Sequence, residues 1–239
     1  MSIMITKGQV RLLRTYSYDS NLYTQGLEQL NNNHILLSAG CYGFSKVGVY
    51  DLTQEIFSEK IAFPDTVFAE GLTVVEDYFW LLTYKEGVAY KFDKATCNCL
   101  GAYPFEGDGW GLAYDKENQC LWMTSGNAFL QKRDPKDFAL LDTVLVAIES
   151  VPISMLNELE YVDGYLYANI WQTNTIVKLQ PDSGKVVATY DISPLLKALN
   201  LDKSHYPDLN VLNGIAHLDQ QRFLITGKLY PLMLEVVLD

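Results

Sequence analysis

The chain has 239 residues, 49% of them hydrophobic and 20% charged, a composition typical of a folded protein of one large or two small domains. Its 18 Lys and Arg against 29 Asp and Glu give a formal charge of −11, which repels phosphate backbones and argues against a nucleic-acid partner. No apolar run approaches the ~18 residues of a membrane span, and the first residues lack the basic-then-apolar order of a signal peptide. We therefore expect no membrane segment and, on this evidence, a cytoplasmic chain.

Cysteine and histidine spacing gives little support for a metal or redox site. No two of the four cysteines have C-x-x-C spacing, and no two of the three histidines are close in sequence. We expect buried free thiols and no histidine-rich metal centre. The residues concerned are Cys41, Cys97, Cys99, Cys120, His34, His205 and His217.

After a lone predicted strand, Val10–Tyr16, the chain repeats one hairpin motif five times. Each copy starts with a short step that ends in an apolar residue, and it continues as a strand, a polar turn and a returning strand. The steps begin at separations of 45, 40, 47 and 56 residues. They are Gln25-Gly26-Leu27, Glu70-Gly71-Leu72, Trp110-Gly111-Leu112, Asn157-Glu158-Leu159 and Asn213-Gly214-Ile215.

The fourth copy shows the hairpin most clearly, because Asp163-Gly164 accepts positive φ at both central turn positions. A third strand follows in every copy. In four copies it ends at a turn that begins with Asp51, Asp93, Asp134 or Pro181, and another β-rich run follows. These four copies therefore have four strands each.

Repeats of 40 to 56 residues with four strands are typical of β-propeller blades, which bury their faces against neighbouring blades. The sequence thus predicts an all-β, five-bladed β-propeller with four antiparallel strands per blade, forming a single domain over residues 1–239. The fifth copy reaches Asp239 with only three strands. We expect the N-terminal strand Val10–Tyr16 to complete this last blade as its outer strand.

One long insertion interrupts the repeats. Residues 191–200 have helical apolar spacing, with Ser193 as the expected N-cap and Pro194 at the first helical position. We expect this helix on the face that carries Asn157 and Trp171, where it either walls a pocket or only covers apolar surface.

Equivalent positions at the strand starts should form a ring around the channel. The first residue of the step varies, with four residue types at the five positions, and the ends of the second strands add four more residues. A structural repeat would tolerate one residue type at all five places, so the differences favour an asymmetric ligand. The ring residues are Gln25, Glu70, Trp110, Asn157, Asn213, Tyr84, Lys85, Trp171 and Lys228.

This ring predicts proton transfer and amide binding. Burial would raise the pKa of Glu70, whereas a lysine such as Lys228 would lower it. A carboxylate in that position can exchange protons, and the lysine can stabilise an oxyanion. The amides of Asn157 and Gln25 can hold a carbonyl or an amide, and the two tryptophans can clamp a short planar fragment.

Six ordered motifs make the chain resemble the plant and bacterial type of glutaminyl-peptide cyclotransferase, over residues 10–237. They are Tyr23-Thr24-Gln25-Gly26-Leu27, Phe68-Ala69-Glu70-Gly71-Leu72-Thr73, Gly109-Trp110-Gly111-Leu112, Asn157-Glu158-Leu159-Glu160-Tyr161, Asn169-Ile170-Trp171-Gln172-Thr173, and Val211-Leu212-Asn213-Gly214-Ile215 with Thr226-Gly227-Lys228.

The resemblance implies a metal-independent propeller enzyme, an acyltransferase that converts the N-terminal glutamine of peptides and proteins to pyroglutamate with release of ammonia. We accordingly expect no cofactor, peptide or protein substrates and a monomer. Glu70 and Lys228 would be catalytic. The substrate-binding residues would be Gln25, Trp110, Asn157, Trp171, Tyr23, Phe68 and Tyr84.

Two positions depart from the family pattern. Tyr84 stands where the family often has tryptophan, and Ala69 where it often has glycine, which could alter the shape of the pocket. Many relatives are also periplasmic or secreted, so the compartment stays open.

Two other functions fit the ring. Lactonase-like propeller hydrolases hold a channel cation with Glu and Asn side chains, which Glu70, Asn157 and Asn213 imitate, although Lys228 would oppose a cation. A non-catalytic peptide-binding propeller shares the fold but predicts binding without ammonia release.

Overall fold

The structure is a computed structural model that describes residues 5–239. It contains 23 strands and one short helix within that range. No helix of the described chain is long and apolar enough to cross a membrane.

The first twelve strands come from about the N-terminal half of the chain. They are β1 Thr6–Lys7, β2 Val10–Ser17, β3 Thr24–Asn31, β4 His34–Ala39, β5 Lys46–Asp51, β6 Ile56–Ala62, β7 Ala69–Val75, β8 Tyr78–Thr83, β9 Val88–Asp93, β10 Cys99–Pro104, β11 Leu112–Asp115 and β12 Cys120–Met123. The remaining elements are β13 Phe129–Arg133, β14 Leu140–Leu145, β15 Ala147–Ile148, β16 Val151–Pro152, β17 Leu156–Val162, β18 Tyr165–Ile170, β19 Thr175–Gln180, β20 Lys185–Asp191, α1 Ser193–Ala198, β21 Leu212–Asp219, β22 Arg222–Gly227 and β23 Leu232–Leu238.

Four sheets are four-stranded and antiparallel, with the orders β3-β4-β5-β6, β7-β8-β9-β10, β11-β12-β13-β14 and β21-β22-β23-β2. The middle strands are buried on both faces because neighbouring sheets pack on each side, as in Tyr78–Thr83, where only the first residue is partly exposed. The outer strands face solvent, as in Leu140–Leu145. The hydrophobic core therefore lies between successive sheets.

The prediction of a five-bladed propeller with four antiparallel strands per blade is wrong: the structure has four such blades, not five. The repeat that begins at Asn157 belongs to a seven-stranded sheet, in which β17 to β20 are extended by β15, β16 and β1. Both β1 and β15 run parallel to β20, so this sheet is also not purely antiparallel. The physical reason is the free outer edge of β20, whose unpaired N–H and C=O groups accept further strands.

The predicted N-terminal closure is confirmed. Strand β2 pairs antiparallel with β23 along its whole length, from Val10 opposite Leu238 to Ser17 opposite Leu232. A side-chain bond adds to this ladder, since the Tyr16 hydroxyl donates to Glu235 at 2.8 Å. The outer strand of this blade thus comes from the opposite end of the chain.

Deleting residues 1–18 is expected to lower the melting temperature by at least about 10 °C, because it removes the β2 ladder and exposes the edge of β23. Scanning calorimetry would measure the change. Deletion of residues 1–8 is the matched control, since it removes β1 but keeps β2. An unchanged melting temperature in the longer deletion would show that the strand does not close the ring.

Local turn chemistry follows the sequence. Asp163 and Gly164 have φ values of 47° and 83°, as the predicted hairpin turn requires. At the ends of third strands, the Asp51 carboxylate accepts the N–H groups of Thr53 and Gln54 at 2.7 and 3.0 Å. These bonds fix the turn to the outer strand.

The insertion forms the helix α1, but Ser193 is its first residue rather than its N-cap. Ile192 occupies the N-cap position without a side-chain bond. The Asp191 carboxylate instead accepts the Ser193 N–H at 2.9 Å. The Ser193 hydroxyl accepts from Asn174 at 3.2 Å, so the helix lies beside the loop that follows Trp171.

The thiol prediction is only partly right. All four cysteines are free, but only Cys120 is buried, and Cys99 is exposed.

Candidate functional site

The inner strands β3, β7, β11, β17 and β21 surround the central channel, and each contacts the next around the ring. Their close approach depends on glycine. A Cβ on Gly111 would lie 2.0 Å from the Asn157 carbonyl oxygen, and one on Gly71 would lie 2.5 Å from that of Trp110. The Gly71 N–H also donates to the Trp110 carbonyl at 2.7 Å, which joins neighbouring blades.

A cavity of about 200 Å³ opens at the start of these inner strands. Pockets for drug-sized ligands are commonly about 300–1,000 Å³, so this cavity suits a group the size of one amino-acid residue. All nine of the predicted catalytic and substrate-binding residues line it: Tyr23, Gln25, Phe68, Glu70, Tyr84, Trp110, Asn157, Trp171 and Lys228. Lys85 and the helix α1 do not line it.

Strand ends bring these residues together. Gln25, Glu70 and Asn157 lie near the start of β3, β7 and β17. Trp171 and Lys228 directly follow β18 and β22, the second strands of their hairpins. Because a hairpin returns to the level at which it began, residues separated by many positions meet at its open end.

Glu70 is a buried carboxyl group, with 5% of its surface exposed. Burial raises its pKa well above the ordinary value, Lys228 lowers it, and the carboxylates of Glu86 and Asp108 raise it further. A raised pKa makes the carboxylate a better base and favours the protonated form, which can act as an acid.

Lys228 is also 5% exposed. Burial lowers its pKa, whereas Glu70 and the Cys41 thiol raise it. Its Nζ atom lies 4.9 Å from the centroid of the Tyr23 ring, which stabilises the cation on that side. The Tyr23 backbone is bridged to that of Lys228, so the two residues are held together at this wall.

Trp110 and Asn157 present polar atoms without a protein partner. Within residues 5–239, the Trp110 Nε1 and the Asn157 Oδ1 are buried and make no hydrogen bond. An unpaired buried polar atom costs about 1–3 kcal/mol, so a ligand that offers one acceptor and one donor would recover that free energy. Trp171 packs edge-on against Trp110, with ring centroids 5.6 Å apart.

Three more aromatic rings form part of the cavity wall. The rings of Tyr23 and Phe68 meet edge to face at 6.4 Å, and those of Phe68 and Tyr84 are tilted at 5.5 Å. Tyr84, which departs from the family pattern, is therefore part of the wall. Ala69, the other departure, is fully buried, and its N–H is bonded to Ser45.

Asn213, like Lys85, is a ring residue that does not line the cavity. Its Nδ2 atom donates to the Thr24 carbonyl at 3.1 Å and to Gln25 Oε1 at 3.3 Å. Its Nδ2 atom thus positions Gln25, whereas within residues 5–239 its Oδ1 atom is buried without a hydrogen-bond partner. The lactonase-like alternative needs Asn213 as a cation ligand, so its predicted donor set is not assembled here. The described residues also contain no group of three or more His, Cys, Asp or Glu side chains placed to hold a metal ion.

Glu158 is a structural residue beside the site that the sequence did not predict. It stands where the other four repeats have glycine, and its side chain is fully buried. One carboxylate oxygen accepts the Leu27 N–H at 3.2 Å and the other accepts the Ile215 N–H at 2.7 Å. Glu158 thus spans from β17 across the channel to β3 and β21. The break in the glycine pattern was the signal that could have found it.

Glu158→Ala is expected to lower the melting temperature by about 10 °C, because it leaves two buried N–H groups unpaired at about 1–3 kcal/mol each. Thermal unfolding followed by circular dichroism would test this. Glu117→Ala is the control, since Glu117 also accepts one hydrogen bond, from Tyr161 at 3.0 Å, but is exposed. Equal shifts in the two variants would contradict the role assigned to Glu158.

A second cavity, of about 220 Å³, lies at the other end of the inner strands. Its lining includes Glu28 and Glu160. Burial raises the pKa of Glu28 to about 7 and that of Glu160 well above the ordinary value. Glu158 lies between this cavity and the one that contains Glu70.

The chain is similar to known proteins over nearly its full length. A family model described as glutamine cyclotransferase matches residues 3–238. The chain is 30% identical to the glutaminyl-peptide cyclotransferase of Arabidopsis thaliana over 235 residues, which cover 97% of this chain and 72% of that relative.

Solved structures agree with this similarity. The crystal structure of Myxococcus xanthus glutaminyl cyclase has a TM-score of 0.86 and 29% identity, with 99% of both chains covered. A structural-genomics protein of unknown function from Bacteroides thetaiotaomicron has a TM-score of 0.57 and 11% identity, covering 100% of this chain and 74% of that one. This second likeness concerns the fold alone.

Proposed function

This chain belongs to the glutamine cyclotransferase family, and from that premise we propose that it converts the N-terminal glutamine of peptides and proteins to pyroglutamate with release of ammonia. The observation that carries the proposal is the pairing of a buried Glu70, whose pKa is raised, with a buried Lys228 in one residue-sized cavity. Each residue shifts the other's pKa by Coulombic interaction, which supports a role for both charges in one reaction centre.

The reaction requires the α-amine to attack the γ-carboxamide of the same residue. An α-amino group has a pKa of about 7.7–8.0, so a useful neutral fraction exists near pH 7. Trp110, Trp171 and Asn157 would hold the folded-back side chain, which supplies orientation at the expense of binding energy. The unpaired Oδ1 of Asn157 suits an N–H donor of the substrate, and the Nε1 of Trp110 suits a carbonyl oxygen.

Proton transfer would pass through Glu70. As the new C–N bond forms, the carboxylate takes a proton from the attacking nitrogen. It then gives that proton to the amide nitrogen as the old C–N bond breaks, and ammonia leaves. Glu70 returns to its ionised state, so no other reactant is consumed.

Lys228 would stabilise the negative oxygen of the tetrahedral intermediate, together with the Gln25 amide. Asn213 supports this role indirectly. Its hydrogen bond to Gln25 Oε1 leaves the N–H groups of the Gln25 side-chain amide as donors to the negative oxygen. The aromatic wall of Tyr23, Phe68 and Tyr84 would exclude water from the charged groups.

A peptide assay tests the function. Peptides that begin Gln-Ala and Asn-Ala are incubated with the protein, with and without a chelator, and ammonia and the loss of one ammonia mass are followed. We expect turnover of the Gln peptide that the chelator does not change. Binding of the Gln peptide without ammonia release would contradict the proposal and favour a binding propeller.

A further inference from the structure

The cavity is too small for more than the first residue of a peptide, so the rest of the substrate must cross its rim. A volume of about 200 Å³ is enclosed by the nine lining residues. Each further residue of an extended chain adds about 3.3–3.6 Å, so the second residue lies directly at the opening. The side chains that surround the opening, outside the cavity, therefore contact the second residue of the substrate.

An aromatic strip leads from the cavity to the surface. Phe68 and Tyr84 line the cavity, and the ring of Tyr42 packs edge-on against Phe68 with centroids 5.2 Å apart. Tyr42 does not line the cavity and is 47% exposed. A large aromatic ring that is held in place yet half-exposed is available to a ligand.

Two carboxylates flank this strip. Glu86 accepts the Tyr42 hydroxyl at 2.8 Å and the Phe68 N–H at 3.3 Å, which fixes it at the rim. Asp108 is held next to Tyr84, because the N–H of the following residue, Gly109, donates to the Tyr84 carbonyl at 2.8 Å. Burial is the main cause of the raised pKa of Glu70, and both carboxylates raise it further, so they also lie within electrostatic reach of the cavity.

The cations nearby do not neutralise both carboxylates. Lys228 lines the cavity together with Glu70, which raises its pKa. Lys85 is exposed, with its Nζ atom 5.0 Å from the centroid of the Tyr84 ring. Within residues 5–239, neither Glu86 nor Asp108 forms an ion pair with any lysine or arginine. The rim keeps a net negative charge beside aromatic faces.

Carboxylates attract cations by their charge, and aromatic faces attract them through the ring quadrupole. We propose that the rim formed by Tyr42, Glu86 and Asp108 binds the second residue of the substrate and selects lysine or arginine there over glutamate or aspartate. This inference rests on the proposed function, since it assigns a substrate class to the same site.

The test compares three peptide amides, Gln-Lys-Ala, Gln-Ala-Ala and Gln-Glu-Ala, by kcat/KM for ammonia release at low ionic strength. We expect the lysine peptide to exceed the glutamate peptide by about 10-fold, because the rim attracts one side chain and repels the other. Adding about 0.5 M salt should reduce this ratio toward one, since exposed charges are screened.

Single variants show which residues select the second residue of the substrate. Asp108→Asn and Glu86→Gln are each expected to reduce the lysine-to-glutamate ratio about threefold, and Lys85→Met to increase it. Glu106→Gln is the matched control, since it changes the same charge on an exposed residue two positions from Asp108. Because each ratio is taken within one variant, a general loss of activity does not affect it.

The outcomes separate the two proposals. If Gln-Ala-Ala is not turned over at all, the proposed function fails. If it is turned over but the lysine and glutamate peptides react equally, only the rim selection fails. An effect of Glu106→Gln as large as that of Asp108→Asn would attribute the preference to overall charge and would also overturn the rim assignment.

Discussion

Replacing Glu70 by glutamine is expected to lower kcat by at least about 100-fold while leaving the fold intact. The amide cannot take the proton from the attacking amine or give it to the departing nitrogen. Burial has already raised the pKa of this carboxyl group well above its ordinary value. A neutral amide of the same shape is therefore tolerated in the cavity, and we expect a melting temperature within a few degrees of the wild type.

The measurement is single-turnover and steady-state ammonia release from a Gln-Ala peptide, with peptide binding followed by calorimetry. Retained binding with lost turnover would match a proton-transfer role. Wild-type-like ammonia release from Glu70→Gln would remove Glu70 from the mechanism. Glu117→Gln serves as the control for a general effect of losing one carboxylate, because Glu117 is exposed.

Lys228→Met is expected to lower kcat by about 10²–10³-fold, the usual effect of removing one oxyanion donor. It should also shift the acidic limb of the kcat/KM profile to higher pH. The sign follows from the charges: Lys228 lowers the pKa of Glu70, so its removal lets that pKa rise, and a higher pH is needed to ionise the base.

Lys178→Met is the matched control. Lys178 is also a lysine whose pKa is lowered by burial, and its Nζ atom lies 4.3 Å from the Tyr165 ring centroid, but it does not line the cavity. We expect its pH profile to match that of the wild type. If Lys228→Met lost activity with no shift of the acidic limb, Glu70 would not be the base that the profile reports.

The ring of site residues was predictable because the repeats fix equivalent positions. Once the steps at Gln25, Glu70, Trp110 and Asn157 are aligned, the geometry of a propeller brings them to one end of the channel, whatever their side chains. Tyr23 and Phe68 were implied only by the family resemblance. All of them line the cavity, while their individual roles remain predictions.

Features that depend on tertiary position were not predictable. The strands β1, β15 and β16 have two residues each, too few for any periodicity. β1 and β15 pair with β20, and β16 pairs with β15. Asn213 looked equivalent to the other ring residues, but its amide turns onto Thr24 and Gln25. Glu86 and Asp108 lie outside the aligned strands, so their position at the rim required the structure.

The Glu158 carboxylate affects how substrate enters the cavity and how products leave it. By bonding to Leu27 and Ile215 across the axis, it separates the cavity of Glu70 from the cavity of Glu28 on the opposite face. We therefore expect the site to be a blind pocket and not a tunnel. A peptide would then enter with its amino terminus first. Ammonia and the cyclised end of the peptide would leave through the same opening, so whichever product lies nearer the opening would have to leave first.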